Sequence, residues 1–216
     1  MSTRRQTILI VLLIVASTLL VYGHTIRNQF LNWDDYDNIT ENYLFNPVTP
    51  ANIKRLWTEP FLGLYVPATY TLMGLESHFA TRHDPDFGAS ITPALFRAVS
   101  VGMHLLCALM VFAILRRFTN HPWAAGAGAL LFALHPLQAE SVCWITEQRG
   151  LLAAAFGIGA LVLLQGPREK ISKLSKKFKK NFFVIDKSSG INFILSIENN
   201  CKDKNKVVNN LNMGQT

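Results

Sequence analysis

The chain has 216 residues, of which half are hydrophobic and 16% are charged, and its mean hydropathy is +0.21. This composition is too apolar for a disordered chain and too poor in charge for an ordinary soluble domain. Three widely spaced cysteines exclude a disulfide-stapled scaffold. The net charge of +7 does not indicate nucleic-acid binding, because residues 1–166 carry 10 basic and 10 acidic side chains and the excess lies in residues 167–216.

The first apolar run covers residues 7–23 and follows two arginines. It just reaches the lower limit for a membrane-spanning helix, which is about 17 residues. A cleaved signal peptide is the alternative, since such peptides also have a basic start and an apolar core. The run lacks a clear small-x-small cleavage site after Leu20, so we expect an uncleaved helix.

Three further apolar runs predict spans at about 94–115, 123–137 and 150–165. The sequence therefore predicts an all-α, polytopic transmembrane helix bundle. The run from 123 is rich in Gly and Ala, and small residues let helices pack closely, so we expect this helix to lie against a neighbour. Arginines beside the span ends indicate a cytoplasmic N-terminus, with residues 24–92 (the first loop) and 135–149 on the outward side.

The composition changes sharply near residue 167. Lysine occurs once before this point and ten times after it, and alanine occurs 19 times before residue 161 and never after it. We therefore expect residues 1–166 and 167–216 to be separate regions, the second unrelated to the first and produced by a gene interruption near Gly166. The alternative is a genuine cytoplasmic tail whose lysines attract anionic lipid.

The first loop opens with three carboxylates among aromatic residues, at Asp34, Asp35 and Asp37. Trp and Tyr favour the headgroup level of a membrane, so these acids are expected near lipid phosphate. A carboxylate there could act as a general base, although an acidic turn without function is the simpler interpretation. Divalent metal binding by this cluster is conceivable, but its spacing lacks the length and the glycine of a calcium loop.

A helix is predicted to begin at Pro67, a residue that suits the first helical turn. One face of this helix carries four apolar side chains, Ala68, Leu72, Leu75 and Phe79. This spacing is typical of an amphipathic helix that lies at the membrane surface. Periodicity alone fits a helix packed on its own loop equally well.

Polar residues share a stripe on the second span: Arg97, Ser100, His104 and Cys107. Such residues usually face the interior of a bundle or a cavity. We consider two roles for Arg97, snorkelling to the headgroups or pairing with a phosphate. His104 is either a packed, hydrogen-bonded histidine or a ligand of the substrate.

The last motif runs from His135 and Pro136 to Arg149, and its proline interrupts the helix. Glu140, Trp144 and Glu147 are then predicted to share one helix face. A carboxylate beside lipid is costly and indicates function, and Arg149 could balance the charge of a phosphate leaving group.

Together these segments resemble the GT-C glycosyltransferases of the TPR-containing membrane type, a family with bacterial members and eukaryotic O-mannosyltransferase relatives. The resemblance covers about residues 8–165. It rests on FLNWDD at 30–35 and on LFALHPLQAESVCWITEQR at 131–149, with Pro67 and Thr69 between them and His104 on the span.

The resemblance implies a fragment of an integral membrane enzyme, doubtfully active alone, that moves a sugar from a polyprenyl-phosphate donor to a protein or glycan hydroxyl. It implies Asp34 or Asp35 as the base, Glu140 as a residue that positions the site, and no metal or other cofactor. Four residues are expected to contact the donor: Arg97, His104, His135 and Arg149.

We favour a bacterial inner membrane slightly over an endoplasmic reticulum. The alternatives are a non-catalytic membrane anchor or assembly protein, and a transporter subunit that uses the Arg97 stripe.

Overall fold

A computed structural model describes residues 2–45, 47–84, 88–119 and 121–164 of the chain. Most of this part is helical. Its regular elements are α1 (Thr3–Tyr22), α2 (Pro50–Leu56), α3 (Pro67–Ala80), β1 (Thr81–Asp84), β2 (Gly88–Ile91), α4 (Ala94–Phe118), α5 (Pro122–Ala133), α6 (Gln138–Cys143) and α7 (Gln148–Leu164). The Lys- and Asn-rich tail, including the predicted boundary at 166, lies outside the described residues.

Three described helical segments are long and apolar enough to cross a membrane: Thr3–Arg27, Ala94–Phe118 and Ile145–Leu164. Their mean hydropathies are 2.2, 2.4 and 1.4. A helix rises 1.5 Å per residue, so each of these segments is about as long as the hydrocarbon core is thick. The prediction of an all-α transmembrane bundle is therefore confirmed, and three of the four expected spans have sufficient length.

The helix predicted at 123–137 is shorter than expected, because α5 ends at Ala133. Its 12 residues are about 18 Å long, too short to cross a bilayer alone. Pro136 lacks an N–H group and disfavours helical backbone at the residue before it, which explains the break. The chain then turns through residues 134–137 before α6 begins.

The small residues of α5 pack as the sequence predicts. Ala125, Gly126, Ala129 and Ala133 are all buried. A Cβ atom placed on Gly126 would lie 2.7 Å from Cγ2 of Ile10 on α1, so only glycine permits this approach. The same cluster includes Phe112 of α4, which joins α1, α4 and α5 into one apolar core.

The first loop has a compact core of its own. Buried side chains of its short helices meet the N-terminal end of α4 and the turn before α7, and this cluster contains Ile39, Leu44, Phe45, Leu56, Tyr70, Met73, Ala80, Phe96 and Ile145. Strands β1 and β2 pair antiparallel, with Thr81 opposite Ile91, and form a hairpin that the sequence analysis did not predict. The first loop is therefore a folded layer on the end of the helix bundle.

Helix α3 begins at Pro67 as predicted, and its apolar stripe points away from this layer. Leu75 and Phe79 are 52% and 75% exposed, whereas the polar side chains of Glu76 and Ser77 are buried. A water-facing helix would show the opposite arrangement. This orientation favours the surface-lying interpretation over a stripe packed on its own loop.

The stripe of α3 is expected to contact lipid. In liposome-reconstituted chain without its native cysteines, an environment-sensitive fluorophore at position 79 should show blue-shifted emission and be quenched by a lipid-phase quencher. The same fluorophore at Glu59, an exposed acid of the first loop, should report water. Water-like emission at both positions would contradict a membrane contact for α3.

Candidate functional site

Asp35 connects two segments that are far apart in sequence. Its side chain is fully buried, at 0% exposure. Oδ1 accepts hydrogen bonds from the backbone N–H of Thr146 at 3.1 Å and from its hydroxyl at 2.7 Å, and Oδ2 accepts from the N–H of Leu31 at 3.0 Å. These three hydrogen bonds to one buried side chain fix the acidic turn against the end of the last motif.

Arg97 makes a second connection at the same end of the bundle. Its guanidinium donates from Nε to the carbonyl of Asn28 at 3.0 Å, from Nη1 to the carbonyl of Cys143 at 2.6 Å, and from Nη2 to the carbonyl of Gln29. The side chain is only 2% exposed, so it does not snorkel into the headgroup layer. One side chain of α4 thus positions both the chain leaving α1 and the last carbonyl of α6.

A cleft of about 770 Å³ opens beside Arg97. Its lining combines residues 27–31 of the first loop with the last turn of α6, and it consists of Arg27, Asn28, Gln29, Phe30, Leu31, Arg97, Glu140, Cys143 and Trp144. Two of these side chains are cationic and one is anionic, so the lining carries a net positive charge. Such a cleft suits an anionic group, and arginine is the residue best shaped to bind a phosphate.

Asp34 differs from its neighbour in burial and in hydrogen bonding. Its side chain is half-buried, and its backbone carbonyl accepts from Nδ2 of Asn38 at 2.8 Å. Among the described residues, no hydrogen bond to its carboxylate is found. The two adjacent acids are therefore divided between a buried, bonded carboxylate at Asp35 and an accessible one at Asp34.

The predicted common face of Glu140, Trp144 and Glu147 is wrong. Helix α6 ends at Cys143, Trp144 has extended backbone, and a separate short turn covers Ile145–Glu147. Glu140 is exposed and lines the cleft with Trp144, whereas Glu147 accepts a hydrogen bond from Nη2 of Arg149 at 2.5 Å.

Arg149 lies at a second, much smaller cavity of about 10 Å³, enough for roughly one water molecule. Thr146 and Tyr70 also line this cavity, and Tyr70 donates to Oδ1 of Asn38 at 2.9 Å. Burial raises the pKa of Tyr70, while the charge of Arg149 lowers it. Arg149 therefore lies near the Asp35 connection, although it does not line the large cleft.

The two predicted histidines lie apart from each other. His104 is 1% exposed, stacks on Phe132, meets Tyr22 edge-on, and donates from Nε2 to the carbonyl of Ala133 at 2.9 Å. It thereby satisfies a carbonyl at the broken end of α5. His135 is exposed in the following turn, where its Nδ1 accepts from the N–H of Leu137 at 3.3 Å.

All four residues of the predicted stripe on α4 are buried, as expected: Arg97, Ser100, His104 and Cys107. Arg97, Ser100 and His104 hydrogen-bond to backbone carbonyls, and Ser100 also accepts from the side chain of Gln148. In the described part of the chain, no group of three or more His, Cys, Asp and Glu residues could hold a metal ion. The expectation that no metal is needed stays a prediction.

Comparison with known proteins bears on what such a site does. The chain resembles Protein O-mannosyl-transferase F38B6.6 of Caenorhabditis elegans, with 26% identity over 176 residues. This relative is a glycosyltransferase. The match covers 77% of this chain and 24% of the relative, so the chain spans about a quarter of the relative's length. No protein-family profile and no solved structure matches the chain.

The match supports a glycosyltransferase-like relationship, and the three apolar helices indicate a membrane protein. Sequence reasoning missed several residues that build the site. Arg27 could have been found as a basic residue just beyond the first span. The partners Thr146 and Gln148 gave no signal, because their contacts join residues 111 and 72 positions apart.

Replacing Arg97 by Lys should destabilise the protein. Lysine keeps the charge but lacks the planar fork that reaches three carbonyls. We expect a loss on the order of 3 kcal/mol in the free energy of unfolding, measured by unfolding titration in micelles. Arg117→Lys, at an exposed position near the other end of α4, should change it by about 0.5 kcal/mol or less. Equal losses in both variants would contradict the role of Arg97.

Proposed function

We propose that residues 1–166 form part of a GT-C-type membrane glycosyltransferase of the TPR-containing kind. The enzyme transfers a sugar from a polyprenyl-phosphate donor to a hydroxyl of a protein or glycan at the outward face of its membrane. The observation that carries the proposal is the cationic cleft, which lies at the outward end of α4 beside the acidic turn. The choice between a bacterial inner membrane and an endoplasmic reticulum stays a prediction.

Asp34 is the better candidate for the general base. A base must reach the proton that it removes, and the carboxylate of Asp34 is accessible whereas both oxygens of Asp35 are occupied. Asp35 instead holds the turn in place. This assignment selects one acid from the pair that the resemblance implies.

The proposed step is a single displacement. The acceptor oxygen bonds to the anomeric carbon of the sugar while its proton passes to Asp34. The bond between that carbon and the phosphate oxygen breaks, and the polyprenyl phosphate leaves with the electron pair. Positive charge near the leaving oxygen stabilises the transition state.

Arg27 is the cation best placed to bind the donor phosphate. Its side chain is exposed at the cleft, whereas Arg97 uses three of its five N–H groups on backbone carbonyls. Arg97 can still offer its remaining donors, and Glu140, which also lines the cleft, can accept a hydrogen bond from a sugar hydroxyl and orient it.

The remaining predicted donor contacts are less central to the cleft. His135 is exposed in the turn before α6 and could reach the donor from outside. Arg149 forms an ion pair with Glu147, and His104 hydrogen-bonds the carbonyl of Ala133 at the C-terminal end of α5. We assign these three residues to supporting roles.

Sugar transfer tests the proposal directly. Membranes that contain the full chain are supplied with polyprenyl-phosphate mannose, chosen because the relative is an O-mannosyl-transferase, and with a peptide that bears serine and threonine. Asp34→Asn removes the base and should lower the transfer rate by roughly 10²–10⁴-fold.

The matched control is Asp37→Asn, an exposed acid in the same turn, which should retain most of the transfer rate. Wild-type transfer by the Asp34→Asn variant would contradict its role as base. An equal loss of transfer in both variants would contradict it too, since the effect would then not be specific to position 34.

A further inference from the structure

A buried polar cluster joins α3, α4 and α7 just behind the acidic turn. Nε2 of Gln148 lies 3.2 Å from Oε1 of Glu76, 3.0 Å from the carbonyl of Phe96 and 3.1 Å from Oγ of Ser100. Glu76 is 3% exposed and Gln148 is 0% exposed. Neither residue contributes to the chemistry proposed above.

Two oxygens of this cluster are buried without a hydrogen-bond partner: Oε2 of Glu76 and Oε1 of Gln148. They belong to the two groups that are already bonded through their other atoms. The carbonyl of Phe96 can only accept, so it fixes the amide nitrogen of Gln148 in its place and leaves the amide oxygen in need of a donor. A buried polar atom without a partner is costly and needs an explanation.

A proton on Glu76 would satisfy both oxygens. A neutral carboxyl group has one O–H donor and one accepting oxygen, and a primary amide offers the complementary pair. We propose that Glu76 is held as a protonated acid and closes a two-bond ring with the amide of Gln148, which ties the outward helix α3 to the first turn of α7.

Charges on the surrounding elements do not oppose this assignment. Arg55 of α2 pairs with Glu59, Arg97 of α4 binds three carbonyls, and Arg149 of α7 pairs with Glu147. Lys54 of α2 and His78 of α3 are exposed. Burial raises the pKa of Glu76 from 4.5 to about 8, and the hydrogen bond from Gln148 opposes this only in part.

The ring gives Glu76 a positioning role that rests on the proposed function. Gln148 directly precedes Arg149 and follows the turn that carries Thr146, the partner of Asp35. Loss of the ring would free the start of α7 from α3. The acidic turn would then lose its fixed place relative to the cleft.

Infrared spectroscopy and thermal unfolding of the full chain in micelles test the proposal without any assay of sugar transfer. At neutral pH, the carbonyl band of a protonated carboxyl group should be present in the wild type and lost in Glu76→Gln. Glutamine keeps the ring by donating from its own amide. Glu76→Leu, which cannot donate, should unfold at a lower temperature than both at neutral pH.

The pH dependence follows from the sign of the pKa difference. Because the folded pKa lies above the unfolded one, the wild type should lose melting temperature relative to Glu76→Gln as the pH rises from 4.5 to about 8, and level off above that. A carboxyl infrared band that is the same in the wild type and in Glu76→Gln would overturn the proposal. A difference in melting temperature between these two proteins that does not vary with pH would overturn it too.

A transfer assay separates positioning from mere stability. The wild-type rate should fall above pH 8 at a temperature where the protein stays folded, whereas that of Glu76→Gln should not. Identical pH profiles in folded samples would overturn the positioning role while leaving the ring intact. A chain that transfers no sugar at any pH would overturn the positioning role, which rests on sugar transfer by this chain, but not the ring, which the infrared and unfolding results test separately.

Discussion

The hydrogen bonds of the Asp35 carboxylate are the interaction on which the position of the folded first loop depends. It joins the acidic turn after the first span to Thr146 before the last helix, two segments separated by 111 residues. Ordering so long a connection has a large entropic cost, which three hydrogen bonds to one buried side chain help to offset. Once this bond forms, the first loop has a fixed position on the bundle, and the cleft acquires walls from both segments.

Buried polar side chains join distant segments at two other points near the first loop. Arg97 places a desolvated cation among backbone carbonyls, and Glu76 meets the amide of Gln148. A buried charge or polar group is tolerated only where its partners are in place, so each of these contacts makes an alternative packing expensive. The site thus combines buried polar connections with a few less buried groups, chiefly Asp34, Arg27 and Glu140, to which we assign the proposed chemistry.

Much of the fold followed from local patterns in the sequence. Apolar length predicted the spans, Pro67 and Pro136 marked a helix start and a helix break, and small residues marked the close contact at Gly126. The sequence could not predict that Asp35 is buried and Asp34 is not fully buried. Nothing local distinguishes two adjacent acids, and only long-range packing buries one of them. The end of α6 at Cys143 was missed for a related reason, because the extended backbone of Trp144 is set by tertiary contacts.

A double-mutant cycle on Asp35 and Thr146 tests the central connection most directly. Asp35→Asn and Thr146→Val are near-isosteric and remove the charge and the hydroxyl separately. Unfolding titrations in micelles should give a coupling energy of about 1 kcal/mol or more, because Thr146→Val removes the donor and Asp35→Asn weakens the acceptor of the same hydrogen bond. Free-energy changes that add to within about 0.3–0.5 kcal/mol would contradict the claim that this bond holds the first loop on the helix bundle.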